Sequence, residues 1–424
     1  MPVPPATRTL LFTGKGGVGK TTTAAATAVW AAARGHRVLV LSTDAAHSLA
    51  DAFARPVAAE PGEVADGVWA QQVDAQARFE RSWADIQRYL MSVLDAAGVD
   101  TIAAEELTVL PGAEEVLALL EVRDQVTSGQ WDLVVVDCAP TAETLRLLAL
   151  PEALGWYMDR VLPAQRKVVK ALRPLLSHAA GVPMPRETVF DAFERLHGDL
   201  ADVRNLLTGP TASVRLVLTP EAVVVAEARR TLTTLSLYGY RVEAVVANRI
   251  FPAAGADAWR REWVLAQADQ LAEVDASFAP LPVSRSAFRP REPIGIDELT
   301  ALGLELYREL DPLVPGPPER PLTIERRGNR VRLRLALPLA DRESVDVARS
   351  GTDLVVTLGS YRRVIALPAT LSRFVVTGAR LEGGSLQVAF GLDESASGPT
   401  TQPPDGTSDW APMCAVSAAA EGTG

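Results

Sequence analysis

Cysteine, lysine and histidine are the scarcest reactive residues in this chain of 424 residues. Its two cysteines, Cys138 and Cys414, cannot supply a disulfide framework, a four-cysteine zinc site or an iron–sulfur cluster within one chain. We therefore expect neither zinc nor an iron–sulfur cluster, and a reducing cytoplasm is the simplest location. Cys138 ends a hydrophobic run and is interpreted as a small core residue rather than a redox centre.

Long apolar runs and basic clusters are missing as well. No stretch approaches the roughly 20 apolar residues that span a bilayer, and the amino terminus lacks the pattern of a secretion signal. The 42 Lys and Arg residues are outnumbered by 52 Asp and Glu residues, for a net charge of −10. Without a basic run that could follow a phosphate backbone, we expect a soluble protein with no nucleic-acid partner.

A glycine-rich loop is the strongest motif of the chain. Residues 7–13 predict a buried strand, residues 14–21 read GKGGVGKT, and the alanine-rich residues 22–34 predict a helix. Such a loop directs backbone N–H groups and the helix N-terminus toward phosphate oxygens. Lys20 is expected to reach the β- and γ-phosphates and Thr21 to bind Mg²⁺. The predicted nucleotide-binding residues are Gly14, Lys15, Gly16, Gly17, Val18, Gly19, Lys20, Thr21 and Thr22.

Lys15 is an additional lysine in this loop, in a chain with only four lysines. It can be a solvated surface residue, because an ordinary P-loop needs only Lys20. The loop also resembles the deviant P-loop of ATPases that dimerise around nucleotide. That resemblance implies that Lys15 is catalytic and supplies positive charge to the partner subunit's transition state.

Two acidic residues follow predicted strands. Residues 37–43 end at Asp44 and residues 131–136 end at Asp137, and the carboxyl ends of parallel strands face the ligand crevice. Asp44 is expected to orient the attacking water or to accept its proton. Asp137 is expected to hold Mg²⁺ through water, as a Walker B acid does.

Two further segments are candidates for contacts with the nucleotide. The loop after Asp137 is interpreted as a γ-phosphate sensor of the switch II type, with Pro140, Thr141 and Glu143 as its residues. Asn248 follows a strand predicted at residues 242–247, and its amide offers both a donor and an acceptor to an adenine edge. An asparagine that only turns the chain is the alternative.

Taken in order, GKGGVGKTT, STDAAHSLADAF, LPGAEE, DCAPTAETLRLL and ANRIFP resemble the ArsA-type ATPases, the arsenite-pump and tail-anchored-protein targeting ATPases. The likeness covers roughly residues 7–310. It implies ATP and Mg²⁺ as ligands, a homodimer, Asp44 as the switch I catalytic residue, and an adenine pocket lined by Asn248 and Pro282. Ala45 and Glu143 depart from the switch sequences of the targeting ATPase, and that family's zinc clasp is absent.

Helical periodicity interrupts the alternating core near residues 75–130 and 151–210. In the resembling family such helices form a hydrophobic groove across the dimer, although stripes of this kind can also pack on one another. The implied function is an ATPase that couples dimer closure to binding of hydrophobic client segments, with transient membrane association. An oxyanion-export ATPase that energises a membrane partner is one alternative.

The carboxyl-terminal part reads as a separate domain. A proline-rich linker is predicted at residues 312–321, a β-sandwich at 322–390 and a disordered acidic tail at 391–424. The sandwich weakly resembles the α-crystallin domain of small heat-shock proteins. It is either a structural appendage or a holdase that the ATPase regulates. The predicted fold is therefore an α/β, mostly parallel P-loop NTPase sheet in residues 1–311 with an inserted helical subdomain, plus this sandwich.

Overall fold

The computed structural model describes residues 7–44, 48–73, 113–139, 187–308, 311–314, 321–328, 330–371 and 374–392. The chain divides into two compact units. One unit comprises Met1–Val225 with Glu243–Gly316, and the other comprises Ala226–Val242 with Pro317–Gly424. Residues 226–242 were expected in the ATPase domain, so this division differs from the predicted boundary at residue 311.

A mostly parallel sheet forms the core of the first unit. In the described part of the chain its strands are β1 (Arg8–Thr13), β2 (Val38–Ser42), β3 (Gly62–Ala65), β4 (Val68–Gln72), β5 (Leu133–Asp137), β6 (Ala212–Leu218), β7 (Val242–Ile250) and β8 (Val283–Ala287). Their order across the sheet is β3-β4-β2-β5-β1-β6-β7-β8. The predicted α/β fold with a P-loop type of sheet is confirmed.

Strand direction brings the functional residues to one edge of this sheet. β1 pairs in parallel with β5 and β6, β2 pairs in parallel with β4 and β5, and β3 runs antiparallel to β4. Every residue of β1, β2, β5 and β6 is buried, as expected for parallel strands covered on both faces. The carboxyl ends of these strands therefore meet at a common edge, where Ser42 and Asp137 are paired in register.

The helices of the described residues are α1 (Lys20–Ala32), α2 (Ser48–Phe53), α3 (Ala113–Thr127), α4 (Glu187–Leu207), α5 (Ala222–Tyr238), α6 (Ala258–Phe278) and α7 (Ile296–Leu306). Helices α1 and α7 pack closely because Gly303 has no side chain: a Cβ there would lie 2.8 Å from the Ala26 carbonyl oxygen. None of these described helices has the length and apolar character that crossing a membrane requires.

The inserted helical region is described only in part. Helices α3 and α4 contact each other, and Leu200, Val203 and Leu207 of the predicted apolar stripe on α4 are buried. This end of the stripe is therefore ordinary core. Elsewhere, the proposed groove falls on residues that the structure does not describe or describes without their side chains.

Two antiparallel sheets form the β region of the second unit. Its described strands are β9 (Leu322–Arg327), β10 (Arg330–Ala336), β11 (Val345–Ser350), β12 (Asp353–Leu358), β13 (Tyr361–Ala366), β14 (Phe374–Glu382) and β15 (Ser385–Leu392). The sheets have the orders β14-β15-β10-β9 and β11-β12-β13. On β10 the apolar Val331, Leu333 and Leu335 are buried while the intervening arginines are exposed, so the predicted alternation is confirmed.

Helix α5 contributes most of its length to this second unit. The Thr233 hydroxyl donates to the Pro338 carbonyl at 2.8 Å, and the buried Arg363 guanidinium donates to the carbonyl of Leu237 near the helix end. Residues 231–238 are buried without exception, so both faces of the helix end are covered. A helix that sequence order assigns to the ATPase domain is thus part of the β unit's core.

Candidate functional site

The loop after β1 adopts a backbone that requires glycine. Gly14 has φ of +155° and Gly19 has φ of +94°, conformations that side chains disfavour. A Cβ on Gly14 would lie 2.1 Å from the Val217 carbonyl oxygen, and one on Gly19 would lie 2.4 Å from Nδ2 of Asn248. The loop therefore fits against β6 and β7 only because these two positions are glycine.

The two loop lysines have different environments. Lys20 begins helix α1, is buried, and donates from Nζ to the Lys15 carbonyl oxygen at 3.4 Å. The Lys15 side chain is half-buried and borders a cavity of about 360 Å³. Lys20 thus lies across the loop where a phosphate would bind, and Lys15 extends toward a separate space.

A cluster of oxygen atoms lies between α1 and the strand ends. The Thr21 hydroxyl donates to Asp137 Oδ2 at 2.8 Å and lies 2.9 Å from the Ser48 hydroxyl. Ser42 approaches the same carboxylate oxygen at 3.4 Å. The other oxygen of Asp137, Oδ1, is buried and has no hydrogen-bond partner among the described residues.

These groups fit a Mg²⁺ ion. Magnesium prefers oxygen ligands and keeps several waters, and the unpartnered Oδ1 of Asp137 is available to such a water. Burial, opposed by the Thr21 hydrogen bond and by the charge of Lys20, raises the pKa of Asp137 to about 7. A cation at this position would favour the ionised carboxylate, as the chemistry of a Walker B acid requires.

Asp44 follows β2 beside this cluster. Its backbone N–H donates to the Ser42 hydroxyl at 3.3 Å, and its carbonyl accepts from Gln72 at 2.7 Å. The backbone of Asp44 is therefore held on both sides, and its charge contributes to the raised pKa of Asp137. The proximity of Asp44 to the magnesium cluster agrees with its predicted place at the strand edge, and its catalytic role remains a prediction.

A second cavity, of about 200 Å³, lies on the other side of the loop. Asn248 borders it and also fixes the loop: Nδ2 donates to the Val18 carbonyl at 2.8 Å, and Oδ1 accepts from the Ser286 hydroxyl at 2.6 Å. Gly19, Thr22, Arg249 and Phe288 share the lining, with Ala287, Arg289, Arg291, Glu292, Pro293 and Leu302. This cavity adjoins the first turn of α1. We call it the base cavity, with reference to the base of a nucleotide.

Pro282 lies at the other end of strand β8 from the base cavity. Pro282 precedes β8, and its carbonyl accepts from Val245 in the neighbouring parallel strand. It lies at the amino end of β8, whereas Asn248 and the base cavity lie toward the carboxyl ends of β7 and β8. After β8 the cavity lining begins at Phe288, and a contact of Pro282 with the nucleotide remains a prediction.

Other predicted residues lie outside the described part of the chain, namely Ala45, Pro140, Thr141 and Glu143. Ser48, Arg249 and Gln267 were missed as site residues. Ser48 and Arg249 stand close in sequence to Asp44 and Asn248, which was the available signal, whereas nothing in the helical pattern around Gln267 indicates a contact with β7.

Cys138 follows β5 directly as a free thiol. The residue is buried, and burial raises the pKa of its thiol to about 12. Within the described ranges, no group of three or more His, Cys, Asp or Glu residues is placed to hold a metal ion. The interpretation of Cys138 as a small core residue agrees with this position.

A strand, glycine loop and helix that place Lys20, Thr21 and Asp137 around a phosphate site define a P-loop nucleotide hydrolase. Comparison with known proteins specifies this class. Residues 7–308 match the family model of the anion-transporting ATPase, and residues 328–390 match the HSP20-like domain found in ArsA.

Two relatives match over almost their whole length. The chain is 36% identical over 391 residues to a protein of Prosthecochloris vibrioformis that is named as an arsenical pump-driving ATPase, covering 91% of this chain and 96% of the relative. It is 31% identical over 386 residues to a protein of Aquifex aeolicus that is named in the same way, covering 88% and 98%. The chain belongs to the anion-transporting ATPase family and is an ATPase; the resemblances to ArsA-type ATPases and to an α-crystallin-like domain are confirmed.

Proposed function

We propose that the protein is a Mg²⁺-dependent ATPase in which nucleotide-driven closure of a homodimer organises a binding site for hydrophobic client segments. The observation that carries the hydrolytic part is the hydrogen bond of 2.8 Å between Thr21 and Asp137, beside the unpartnered Oδ1. A hydroxyl and a carboxylate brought together at the end of a P-loop form a typical magnesium site.

Each group of the site has a separate role in the proposed hydrolysis. Lys20 binds the β- and γ-phosphate oxygens, and the loop amides cradle them. Asp44, held by Ser42 and Gln72, orients the attacking water. Mg²⁺, held by Thr21 and through water by Asp137, would neutralise charge on the β- and γ-phosphates. Lys15 of a second copy adds positive charge to the transition state.

Client binding is proposed from the inserted helices and the terminal domain. The motifs of the chain resemble those of the targeting ATPases, and the HSP20-like match adds a domain of the heat-shock class. Asp44→Asn should trap ATP-bound protein, and Lys20→Ala should abolish productive nucleotide binding. Mass spectrometry of proteins that co-purify with each variant tests the proposal. Enrichment of proteins with single apolar helices on Asp44→Asn supports it, and identical profiles contradict it.

Oxyanion export is the second candidate, favoured by the names of the relatives as arsenical pump-driving ATPases. Only two cysteines are available to this chain as thiol ligands for a metalloid, and Cys138 is buried. The client proposal therefore takes precedence. Arsenite or antimonite that accelerates ATP turnover several-fold would reverse this order, whereas a flat rate is the expected result.

In a third possible function, the carboxyl-terminal β-sandwich of the second unit binds unfolded clients as a holdase, and the ATPase regulates it. Deletion of residues after 319 would then abolish suppression of client aggregation and spare ATP hydrolysis. Because α5 packs into that unit, this deletion also uncovers the helix. The full chain with point substitutions in β10 is therefore the better test. Retained suppression in those variants contradicts the holdase role.

A further inference from the structure

Arg249 has an unfavourable backbone conformation at the edge of the nucleotide site. It follows Asn248 near the end of β7, is exposed, and has φ of +60°, in the left-handed region that non-glycine residues rarely adopt. Such conformations persist where the surroundings enforce them, and they occur preferentially at ligand sites. The first question is therefore what enforces this one.

Two side chains hold the segment in place. The N–H of Arg249 donates to Oδ1 of Asn248 at 2.9 Å, and Nε2 of Gln267 donates to the Arg249 carbonyl at 3.2 Å. Oε1 of Gln267 accepts from the Phe251 N–H at 2.8 Å. Gln267 lies on α6 and is buried, so both ends of its side-chain amide hydrogen-bond to the backbone of Arg249 and Phe251 at the end of β7.

This conformation at the end of β7 places Arg249 between the two cavities beside the P-loop. Arg249 lines the base cavity with Gly19, Thr22 and Phe288, and it lines the larger cavity with Lys15. Within the described residues, the structure records no hydrogen bond or ion pair for its guanidinium. Phe288 is 43% exposed and stacks on Phe251 with ring centroids 5.0 Å apart, so a flat apolar surface faces the same space.

We propose that Arg249 is a base-binding residue whose guanidinium covers one face of the purine of bound nucleotide, and that Gln267 is the residue that positions it. A planar cation and an aromatic ring in one cavity suit a flat, electron-rich heterocycle. The proposal rests on the proposed placement of nucleotide at the P-loop and is independent of client binding and of dimer closure.

The test compares ADP, which carries a base, with pyrophosphate, which does not, by calorimetry on the full-length protein with Mg²⁺. Arg249→Ala should weaken ADP binding about tenfold, as loss of one cation–π contact does, and leave pyrophosphate binding unchanged. Arg249→Gly should weaken ADP binding by the same tenfold, although glycine relieves the unfavourable backbone conformation.

Arg285→Ala is the matched control, since Arg285 is exposed and paired with Asp275. Unchanged ADP binding in Arg249→Ala overturns the proposal, and so does an equal loss for pyrophosphate, which would place the guanidinium on the phosphates.

Gln267 is tested through its dependence on Arg249. Gln267→Ala should reproduce the selective loss of ADP affinity, and in an Arg249→Ala background it should cause no further loss. Additive losses contradict the positioning role. Lys20→Ala serves to separate this inference from the site itself: it should weaken both probes. If pyrophosphate binds Lys20→Ala as well as wild type, the placement of nucleotide at the P-loop is wrong, and the role of Arg249 that rests on it falls as well.

Discussion

At the scale of single residues, the phosphate-binding loop depends on backbone geometry as much as on charge. Gly19→Ala places a Cβ 2.4 Å from Nδ2 of Asn248, an amide already engaged with Val18 and Ser286. We expect a loss of about 1–2 kcal/mol from the left-handed backbone and a further loss of nucleotide affinity from displacement of Asn248.

Gly35→Ala is the control for this prediction. Gly35 has φ of +88°, close to the +94° of Gly19, but an added Cβ would have no neighbour within 4 Å. Thermal unfolding should therefore show a similar destabilisation for both variants, while calorimetry with ADP shows weaker binding for Gly19→Ala alone. Equal affinities would mean that the Asn248 contact does not shape the site.

Residue-level prediction from the sequence succeeds where the chemistry is local. The loop glycines and Lys20 follow one another in eight residues, so a motif reveals them together. Arg249 and Gln267 are separated by a loop and the first half of helix α6, and their relation depends on how α6 packs, which no local pattern encodes. Proline likewise marks a loop but does not say at which end of a strand that loop lies, so the pattern could not place Pro282 relative to Asn248.

At the scale of elements, a buried ion cluster joins three strands of the sheet. Arg8 of β1 lies 2.6 Å from Glu243 of β7, and Arg215 of β6 lies 3.1 Å from the same carboxylate. Burial alone would raise the pKa of Glu243, but the two guanidinium groups outweigh it and hold the pKa below its usual range. The cluster therefore stabilises the strand order β1-β6-β7.

Glu243→Gln tests this cluster. The substitution leaves two buried arginines without a counter-ion, which should cost about 3–5 kcal/mol in urea unfolding at pH 7. Because the folded-state pKa is lowered, wild type keeps this stability above the ordinary carboxyl pKa and loses it as pH falls through the lowered value. The difference in free energy of unfolding between wild type and Glu243→Gln should thus become smaller at acid pH. Asp275→Asn, which breaks the exposed pair with Arg285, should change stability by less than about 1 kcal/mol at either pH.

The end of helix α5 offers a second test at this scale. Arg363 donates to the Leu237 carbonyl, a group that has no partner within the last turn of the helix. Arg363→Ala should cost about 1.5–3 kcal/mol and increase hydrogen exchange in the last turn of α5. Arg362→Ala removes a neighbouring exposed guanidinium and should leave exchange unchanged. Equal exchange in the two variants would show that α5 does not need this contact.

At the scale of the whole molecule, the division into units departs from sequence order. Strands β1, β2, β5 and β7, the P-loop and the alternation on β10 were predictable because periodicity and motifs report local burial. The membership of α5 was not, since a helix buried on both faces gives the same apolar pattern whichever neighbour covers it. Contacts such as Thr233 with Pro338, more than 100 residues apart, decide the boundary instead.

Because lysine is scarce in this chain, assembly of the whole molecule can be followed by chemical modification of single lysines. Acylating reagents modify lysine and not arginine, and the four lysines are Lys15, Lys20, Lys167 and Lys170. With Mg²⁺ and a non-hydrolysable ATP analogue, we expect several-fold protection of Lys20 at any protein concentration, because its phosphate contact lies within one chain. Lys15 should be protected only as protein concentration rises, because the proposed contact crosses to a second copy. Protection of Lys15 that is independent of protein concentration would place its contact within one chain and contradict the proposed closure of a dimer around nucleotide.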